Sequence, residues 1–183
     1  QEIPVGQLLK RAASPNARMR FQAALQLGSA KDPRRVAAWA HILEAGADDK
    51  WTRAAVFSSM GDDSLALLDL LSKTAPIKRV SIAPALLELG RVVARSRSKE
   101  EILAVLSRKL AADPGWRKAE RVALLKGIAS GLRGRKFIGA VKSTVLGLAD
   151  ENPEAKANVA RVFKEARATA QGGGDAGSRA GAI

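Results

Sequence analysis

The sequence predicts an all-α fold in which short helices stack as antiparallel pairs, and two observations carry this prediction. A helix signature recurs, because residues 14–28 read SPNARMRFQAALQLG and residues 32–46 read DPRRVAAWAHILEAG. Each stretch has a capping residue and a proline before an Ala-rich run that ends in glycine. Hydrophobic residues make up 46% of the chain but aromatic residues only 4%, which suits close helix packing better than a β-sandwich. The expected architecture is a right-handed α-α superhelix, a solenoid of about nine helices.

The two repeated stretches are the first two certain helices. Ser14 is the expected N-cap of the first, with Pro15 in its first turn and Gly28 as the glycine that ends it. Asp32 opens the second helix in the same way. Apolar residues at helical spacing predict the inward faces, Ala17, Phe21, Ala24 and Leu25 in the first helix and Val36, Trp39, Ala40 and Leu43 in the second.

Seven further helices are expected along the chain, and no segment shows the period-2 alternation of a strand. Pro84 is expected to start a new turn or a kink within a long helical pattern at 77–95. The SKEE of residues 98–101 is a capping-box signature. The sites expected to open these helices, in chain order, are Asp48 or Asp49, Asp62 or Asp63, Ile77, Ser98, Asp113, Phe137 and Asn152.

The chain is expected to divide into a solenoid at residues 1–170 and a Gly-rich disordered tail or linker at 171–183. It contains no Cys, which excludes disulfides, thiolate zinc sites and thioether-linked haem within these 183 residues. No run approaches the length of a membrane span, and the first residues do not have the pattern of a secretory signal. The N-terminus reads as a helix entered partway, which suggests a fragment of a longer protein.

Three stretches carry a family resemblance. Residues 16–28 resemble the HEAT-like repeat of the phycobilisome-lyase type, in which an Arg precedes an Ala-Ala-Leu run. Residues 48–60 (DDKWTRAAVFSSM) with 65–71 (LALLDLL), and residues 123–136 (ALLKGIASGLRGRK), are similar to the helical region of large secreted planctomycete proteins. Those proteins are membrane-bound dehydrogenases with haem-binding domains, and they join a β-propeller to HEAT-like repeats and a c-type cytochrome module.

The resemblance covers about residues 12–136, and it implies a spacer or docking segment of an exported protein. The family's cytochrome module needs Cys-x-x-Cys-His, whereas this chain has no Cys and one His. Any redox chemistry and its cofactors would therefore belong to other domains. For this chain the resemblance implies no enzymatic activity, no cofactor and no metal.

Positive charge is concentrated in the middle of the chain. Residues 76–149 contain 16 Lys or Arg against 5 Asp or Glu, so this segment carries +11 of the total net charge of +13. Such a field attracts polyanions or acidic partners, although cations near helix C-termini also complement the helix dipole. Stacking of helices is expected to merge the basic side chains into one stripe, made of Arg91, Arg95, Arg97, Lys99, Arg108, Lys109, Arg117, Lys118, Arg121, Arg133, Arg135 and Lys136.

Other reactive residue types have ordinary structural interpretations. His41 lies within a helical pattern with no second metal ligand at helical spacing, which favours a surface or groove-lining role. Capping explains Asp48 and Asp49, and Glu44 sits at a helix end. The three tryptophans are expected to anchor the packing between helix layers, and they are Trp39, Trp51 and Trp116.

Two functions from different classes follow from these observations. The first is a non-catalytic scaffold that contacts other proteins or neighbouring domains of the same polypeptide. The second is a nucleic-acid-binding protein, in the manner of HEAT-like DNA-repair glycosylases, that uses the basic region at 76–149. No nucleophile, base and orienting group stand together in the sequence.

Overall fold

A computed structural model of the chain describes residues 3–78, 81–111, 116–137 and 144–171, with the side chains of 75–78 excepted. The described residues are helical with no strand, which confirms the all-α class. The α-helices are α1 (Val5–Ala12), α2 (Ala17–Leu27), α3 (Arg34–Gly46), α4 (Lys50–Ser59), α5 (Ser64–Lys78), α6 (Ala83–Ser96), α7 (Lys99–Arg108), α8 (Lys118–Gly131), α9 (Val145–Ala149) and α10 (Pro153–Gln171), and a 3-10 turn precedes α5 at Gly61–Asp63. Two compact units are present, Gln1–Ala85 and Leu86–Ile183.

Several helix entries follow the predicted capping chemistry. The Asp49 carboxylate accepts hydrogen bonds from the backbone N–H groups of Trp51 and Thr52 at 3.2 and 3.0 Å. Ser98 and Glu101 form the complete capping box at the start of α7. Asn152 accepts from the N–H of Ala155 at the start of α10. These side chains satisfy donors that a helix N-terminus leaves without intrahelical partners.

Other predicted boundaries are wrong. Asn16, not Ser14, caps α2, because its side chain accepts from the N–H of Arg18. Asp63 does not cap α5, since its carboxylate instead pairs with Arg35 at 2.7 Å. The pattern at 77–95 is two helices, because α5 runs to Lys78 and α6 begins at Ala83. Pro84 therefore lies in a first helical turn, where its missing N–H costs no hydrogen bond.

The later boundaries differ in similar ways. Phe137 does not start a helix, because residues 135–137 are not helical and α9 begins only after its N-cap Thr144. The expected opening of a helix at Asp113 lies outside the described residues. Gln171, expected to begin the tail, is the last residue of α10, and the remaining tail at 172–183 is also outside them.

In the first unit, alternate helices pack against each other as well as against their neighbours. α1 contacts α3, α2 contacts α4 and α3 contacts α5. The contact of α2 with α4 is close at Gly28, where an added Cβ would lie 2.7 Å from the Ser59 carbonyl oxygen. Gly28 is the C-cap of α2, which confirms that this glycine ends the helix, but its φ of −60° is not left-handed. The glycine is required for space rather than for conformation.

Buried Trp39 connects α3 to α2 in the same region of the first unit. Its indole Nε1 donates to the Ala24 carbonyl oxygen at 3.1 Å, and the Ser59 hydroxyl lies 2.7 Å from that oxygen. This carbonyl belongs to the last turn of α2, where no intrahelical donor is available for it. Trp39 thus joins α3 to α2 through both packing and a hydrogen bond, which confirms its expected role as an anchor.

In the second unit, α6 and α8 pack through glycines. A Cβ added to Gly127 would lie 2.1 Å from the Leu87 carbonyl oxygen, and one added to Gly90 would lie 2.6 Å from that of Leu124. Gly131 makes the same kind of contact one turn later, since a Cβ added to it would lie 2.5 Å from the Arg91 carbonyl oxygen. The two helices therefore touch backbone to backbone. α10 packs against both α7 and α8.

The predicted inward faces are correct in part. Trp39, Ala40 and Leu43 are buried as expected, but Ala17 and Leu25 are exposed because α2 turns a different face inward. That face is built from Ala23, Ala24 and Leu27. No described helix combines the length and apolar content needed to cross a membrane.

Candidate functional site

The twelve predicted basic residues lie in the second unit, and ten of them form two groups rather than one stripe. Arg135 donates to the Ala94 carbonyl oxygen, which brings the end of α8 beside the end of α6. The N-terminus of α8 lies at the other end of that helix, about 20 Å away at 1.5 Å per residue. The expected merging of all twelve into one stripe is therefore wrong, because successive helices bring their charged ends to opposite sides.

The first group, called the basic cap here, lies where α6 and α8 both end. It consists of Arg95, Arg97, Arg133, Arg135 and Lys136. Arg95, Arg133 and Lys136 are exposed, and the other two are half-buried. No Asp or Glu occurs at positions 89–99 or 121–149, and the carboxylates nearest to the cap residues in sequence are Glu100 and Glu101 of α7, of which Glu101 accepts from the Ser98 N–H.

Arg135 organises the loop of the cap. Gly134 has φ of +77°, a left-handed conformation that turns the chain after α8 back toward α6. The Arg135 guanidinium then reaches the last turn of α6 through Ala94 and lies 4.3 Å from the centre of the Phe137 ring. This fixes the loop and leaves Arg133 and Lys136 exposed beside Arg95.

Lys99 and Arg91 lie near the cap but have structural roles. Lys99 forms an ion pair with Glu151 at 2.8 Å, and this pairing raises the pKa of Lys99. It ties the start of α7 to the turn before α10. Arg91 is half-buried on α6, and its backbone packs directly against Gly127 and Gly131 of α8.

The second group surrounds the end of α7 and the start of α8, and it contains Arg108, Lys109, Arg117, Lys118 and Arg121. Arg121 is buried, with 9% of its side chain exposed, and pairs with Glu165 at 2.9 Å. It also donates to the Trp116 carbonyl oxygen at 2.6 Å. Arg121 is therefore a structural residue that holds α8 against α10.

A network around Glu165 extends this structural role. Arg161 lies on the same face of α10 as Glu165, 3.7 Å from its carboxylate, and donates to the Leu110 carbonyl oxygen. Asn158 donates to the Ser107 carbonyl oxygen at 2.6 Å. These contacts satisfy carbonyls that the end of α7 leaves without helical partners. The sequence analysis missed this network, whose one visible signal is the i, i+4 spacing of Arg161 and Glu165.

The remaining candidates are not members of the basic cap. His41 is exposed on α3, in agreement with a surface role. Glu44 is buried and accepts a hydrogen bond from the Thr74 hydroxyl. Trp116 is buried, but Trp51 is 64% exposed, so its expected role as a packing anchor is wrong. Trp51 lies in the first turn of α4, outside its buried face, with the Lys50 ammonium 5.1 Å from its ring centre.

The described residues contain no cluster of three or more His, Cys, Asp or Glu side chains arranged to hold a metal ion. An open cleft of about 530 Å³ lies in the first unit beside Leu8, Gln26 and Lys31. Among the residues that line it in this part of the chain, Lys31 is the one ionisable group. The cleft therefore brings no acid and base together.

Comparison of the chain with family models, with curated proteins and with solved structures gives no match.

Proposed function

We propose that this chain is a non-catalytic helical-repeat module that docks other proteins or neighbouring domains of its own polypeptide. The observation that carries the proposal is the glycine-mediated contact between alternate helices, which occurs in both units. Gly28 allows this close contact between α2 and α4, and Gly127 allows it between α6 and α8. In a solenoid each helix packs on its sequence neighbour and on the equivalent helix of the next repeat.

The contacts within each unit support a two-layer, HEAT-like arrangement. In the first unit α2 and α4 form one layer and α3 and α5 the other. In the second unit α6 and α8 approach each other, and α7 packs on α10. Helical repeats of this kind present extended surfaces for partners.

The resemblance described above suggests the context of this module. In that context the chain would space or dock a dehydrogenase propeller and a cytochrome domain in an exported protein. The propeller and the cytochrome would carry the redox chemistry, and the helical repeats would hold them at a fixed separation.

The gene sequence on either side of these residues provides the first test. We expect it to encode a propeller domain, a Cys-x-x-Cys-His cytochrome domain, or both. The adjacent domain, produced separately, is then expected to bind this chain in calorimetry with a negative heat-capacity change, the signature of buried apolar surface. A flanking sequence that encodes neither domain would overturn the redox context, and absence of binding to any adjacent domain would overturn docking.

A further inference from the structure

The basic cap has no part in the docking proposal, and its composition points to a ligand. We propose that the cap binds the phosphodiester backbone of nucleic acid. It places four arginines and a lysine where α6 and α8 end together. This inference goes beyond the docking function and does not depend on it.

The charge of the cap exceeds what its structural neighbours require. One or two cations at the C-terminus of a helix complement its dipole, and two helices, α6 and α8, end at the cap. Arg95 lies in the last turn of α6 and Arg135 bonds that turn, so these two arginines serve α6. Arg133 and Lys136 are exposed after α8, and Arg97 brings the cap to five cations, more than the two dipoles take. The mutual repulsion of these cations is relieved when an anion with several charges lies across them.

The kind of cation favours phosphate. A guanidinium presents a planar fork of N–H donors that matches two oxygens of a phosphate, and four of the five cap residues are arginine. The Arg135 contact with Ala94 and the turn at Gly134 fix the loop in place. The backbone of the loop is thus held in position before a ligand arrives, which lowers the entropy cost of binding.

A membrane surface fits the cap less well. Peripheral membrane binding combines basic residues with exposed apolar anchors. The large hydrophobic residues that are exposed in the described ranges are Met19, Leu25, Trp51, Leu146 and Phe163. None of them belongs to either segment that builds the cap, so the cap offers charge without an anchor.

The salt dependence of binding gives a quantitative expectation. The proposed contacts are four phosphates, met by Arg95, Arg97, Arg133 and Lys136. Each neutralised phosphate contributes about −0.9 to the slope of log affinity against log salt for a duplex. Raising monovalent salt from about 50 to about 200 mM should therefore weaken binding of a 20-base-pair duplex by about 150-fold. A 20-nucleotide single strand should show a smaller slope, about −0.7 per contact.

Two matched triple variants distinguish the loss of the cap from an equal loss of net charge elsewhere. Arg95→Gln/Arg133→Gln/Lys136→Gln removes three exposed cap cations, and Arg108→Gln/Lys118→Gln/Lys164→Gln removes three exposed cations elsewhere in the second unit. At about 50 mM salt the cap variant should bind the duplex at least about tenfold more weakly, with its slope reduced to about −1. The control should bind within about twofold of the natural chain.

A footprint on the natural chain makes the test independent of variant folding. Bound duplex should protect Lys136 from acetylation while Lys118 and Lys164 stay reactive, as measured by mass spectrometry. Absence of duplex binding at 50 mM salt, equal losses in the two variants, or equal protection of the three lysines would overturn the proposal. Equal affinity for a polyglutamate peptide or for anionic vesicles would also overturn it in favour of another partner. All of these results leave the docking test with the adjacent domains unaffected.

Discussion

Gly127 of α8 lies so close to Leu87 of α6 that a Cβ on the glycine would stand 2.1 Å from the leucine carbonyl oxygen. This separation is shorter than any contact that a real Cβ makes, and the obstacle is backbone rather than a flexible side chain. The two helices have no room for any other residue at this position. Because the neighbouring glycines Gly90 and Gly131 make similar contacts, the α6–α8 interface depends on glycine along its length.

Gly127→Ala is expected to destabilise the protein strongly. The added methyl group must push α6 and α8 apart, and overpacking of this kind costs about 3 kcal/mol or more when backbone is the obstacle. Urea unfolding followed by circular dichroism measures the effect. Gly6→Ala is the control, since nothing lies within 4 Å of its added Cβ in α1. It should leave stability unchanged or raise it by up to about 1 kcal/mol. Equal effects of the two substitutions would contradict the close interface.

Trp39 and Ser59 are expected to stabilise the same carbonyl in a coupled way. The indole of Trp39 and the hydroxyl of Ser59 both lie within hydrogen-bond distance of the Ala24 oxygen. Either donor alone satisfies that oxygen, whereas losing both leaves a buried acceptor unpaired, at about 1–3 kcal/mol. In a double-mutant cycle, Trp39→Phe with Ser59→Ala should cost more than the two single losses together. Simple additivity would show that the carbonyl does not couple them.

The Arg121–Glu165 pair should be far more costly to break than to replace. Glu165→Leu leaves the buried Arg121 guanidinium without its carboxylate, and this is expected to cost about 3 kcal/mol. Arg121→Leu/Glu165→Leu removes both charges, so the double variant should be more stable than either single variant. Thermal unfolding at pH 7 compares them. A double variant less stable than both single variants would show that the ion pair itself provides net stability.

Acid should weaken the caps of α3 and α4. The Arg34 side chain, bonded to Asp32, lowers the pKa of that carboxyl from 3.8 to about 2. The Thr52 hydroxyl, 2.6 Å from Asp49, likewise lowers the pKa of Asp49. A carboxyl with a lowered pKa stabilises the fold above its unfolded-state pKa, and this contribution disappears as pH falls through its folded-state pKa.

The free energy of unfolding should therefore fall between about pH 4 and pH 2 through these carboxyls. Asp49→Asn keeps a capping side chain without the titratable charge, so it should flatten part of that decline. Asp49→Ala should cost about 1 kcal/mol at pH 7. Urea titrations at a series of pH values test both, and an unchanged pH profile in Asp49→Asn would exclude this cap as a source of the acid sensitivity.

Local chemistry made much of the fold predictable. The caps at Asp49, Ser98 and Asn152 depend on neighbouring residues, so the sequence was sufficient to find them. The failures involve tertiary contacts. Asp62 or Asp63 was expected to cap a helix, but Asp63 pairs with Arg35, which is 28 residues away. Sequence alone does not show when a distant partner competes with a local one.

The candidate site was predictable in composition but not in arrangement. The excess of basic residues at 76–149 is evident from the sequence. Its division into two groups depends on the direction of each helix, and Arg121 is structural because Glu165 of α10 lies beside it. The glycines Gly127 and Gly131 are four residues apart on α8, a spacing that in retrospect signals a helix contact face.

The central claim is that alternate helices of this chain are in direct contact, and a disulfide tests it most directly. The chain has no Cys, so cysteines placed at two positions can pair only with each other within a molecule. The ideal Cβ of Gly28 would lie 2.9 Å from the Cβ of Ser59, shorter than the separation of about 3.8 Å in a disulfide, so the ends of α2 and α4 must move apart by about 1 Å for the bond to form. Gly28→Cys/Ser58→Cys is the matched control, shifted by one residue to an exposed position of α4. Under mild oxidation of dilute protein, we expect rapid intramolecular crosslinking of Gly28→Cys/Ser59→Cys, seen by mass spectrometry, and slow crosslinking of the control. Both reduced variants carry the same Gly28→Cys change, and circular dichroism checks that each keeps the helix content of the natural chain. In folded protein, failure of the first pair to crosslink, or equal rates in both, would contradict direct contact between α2 and α4.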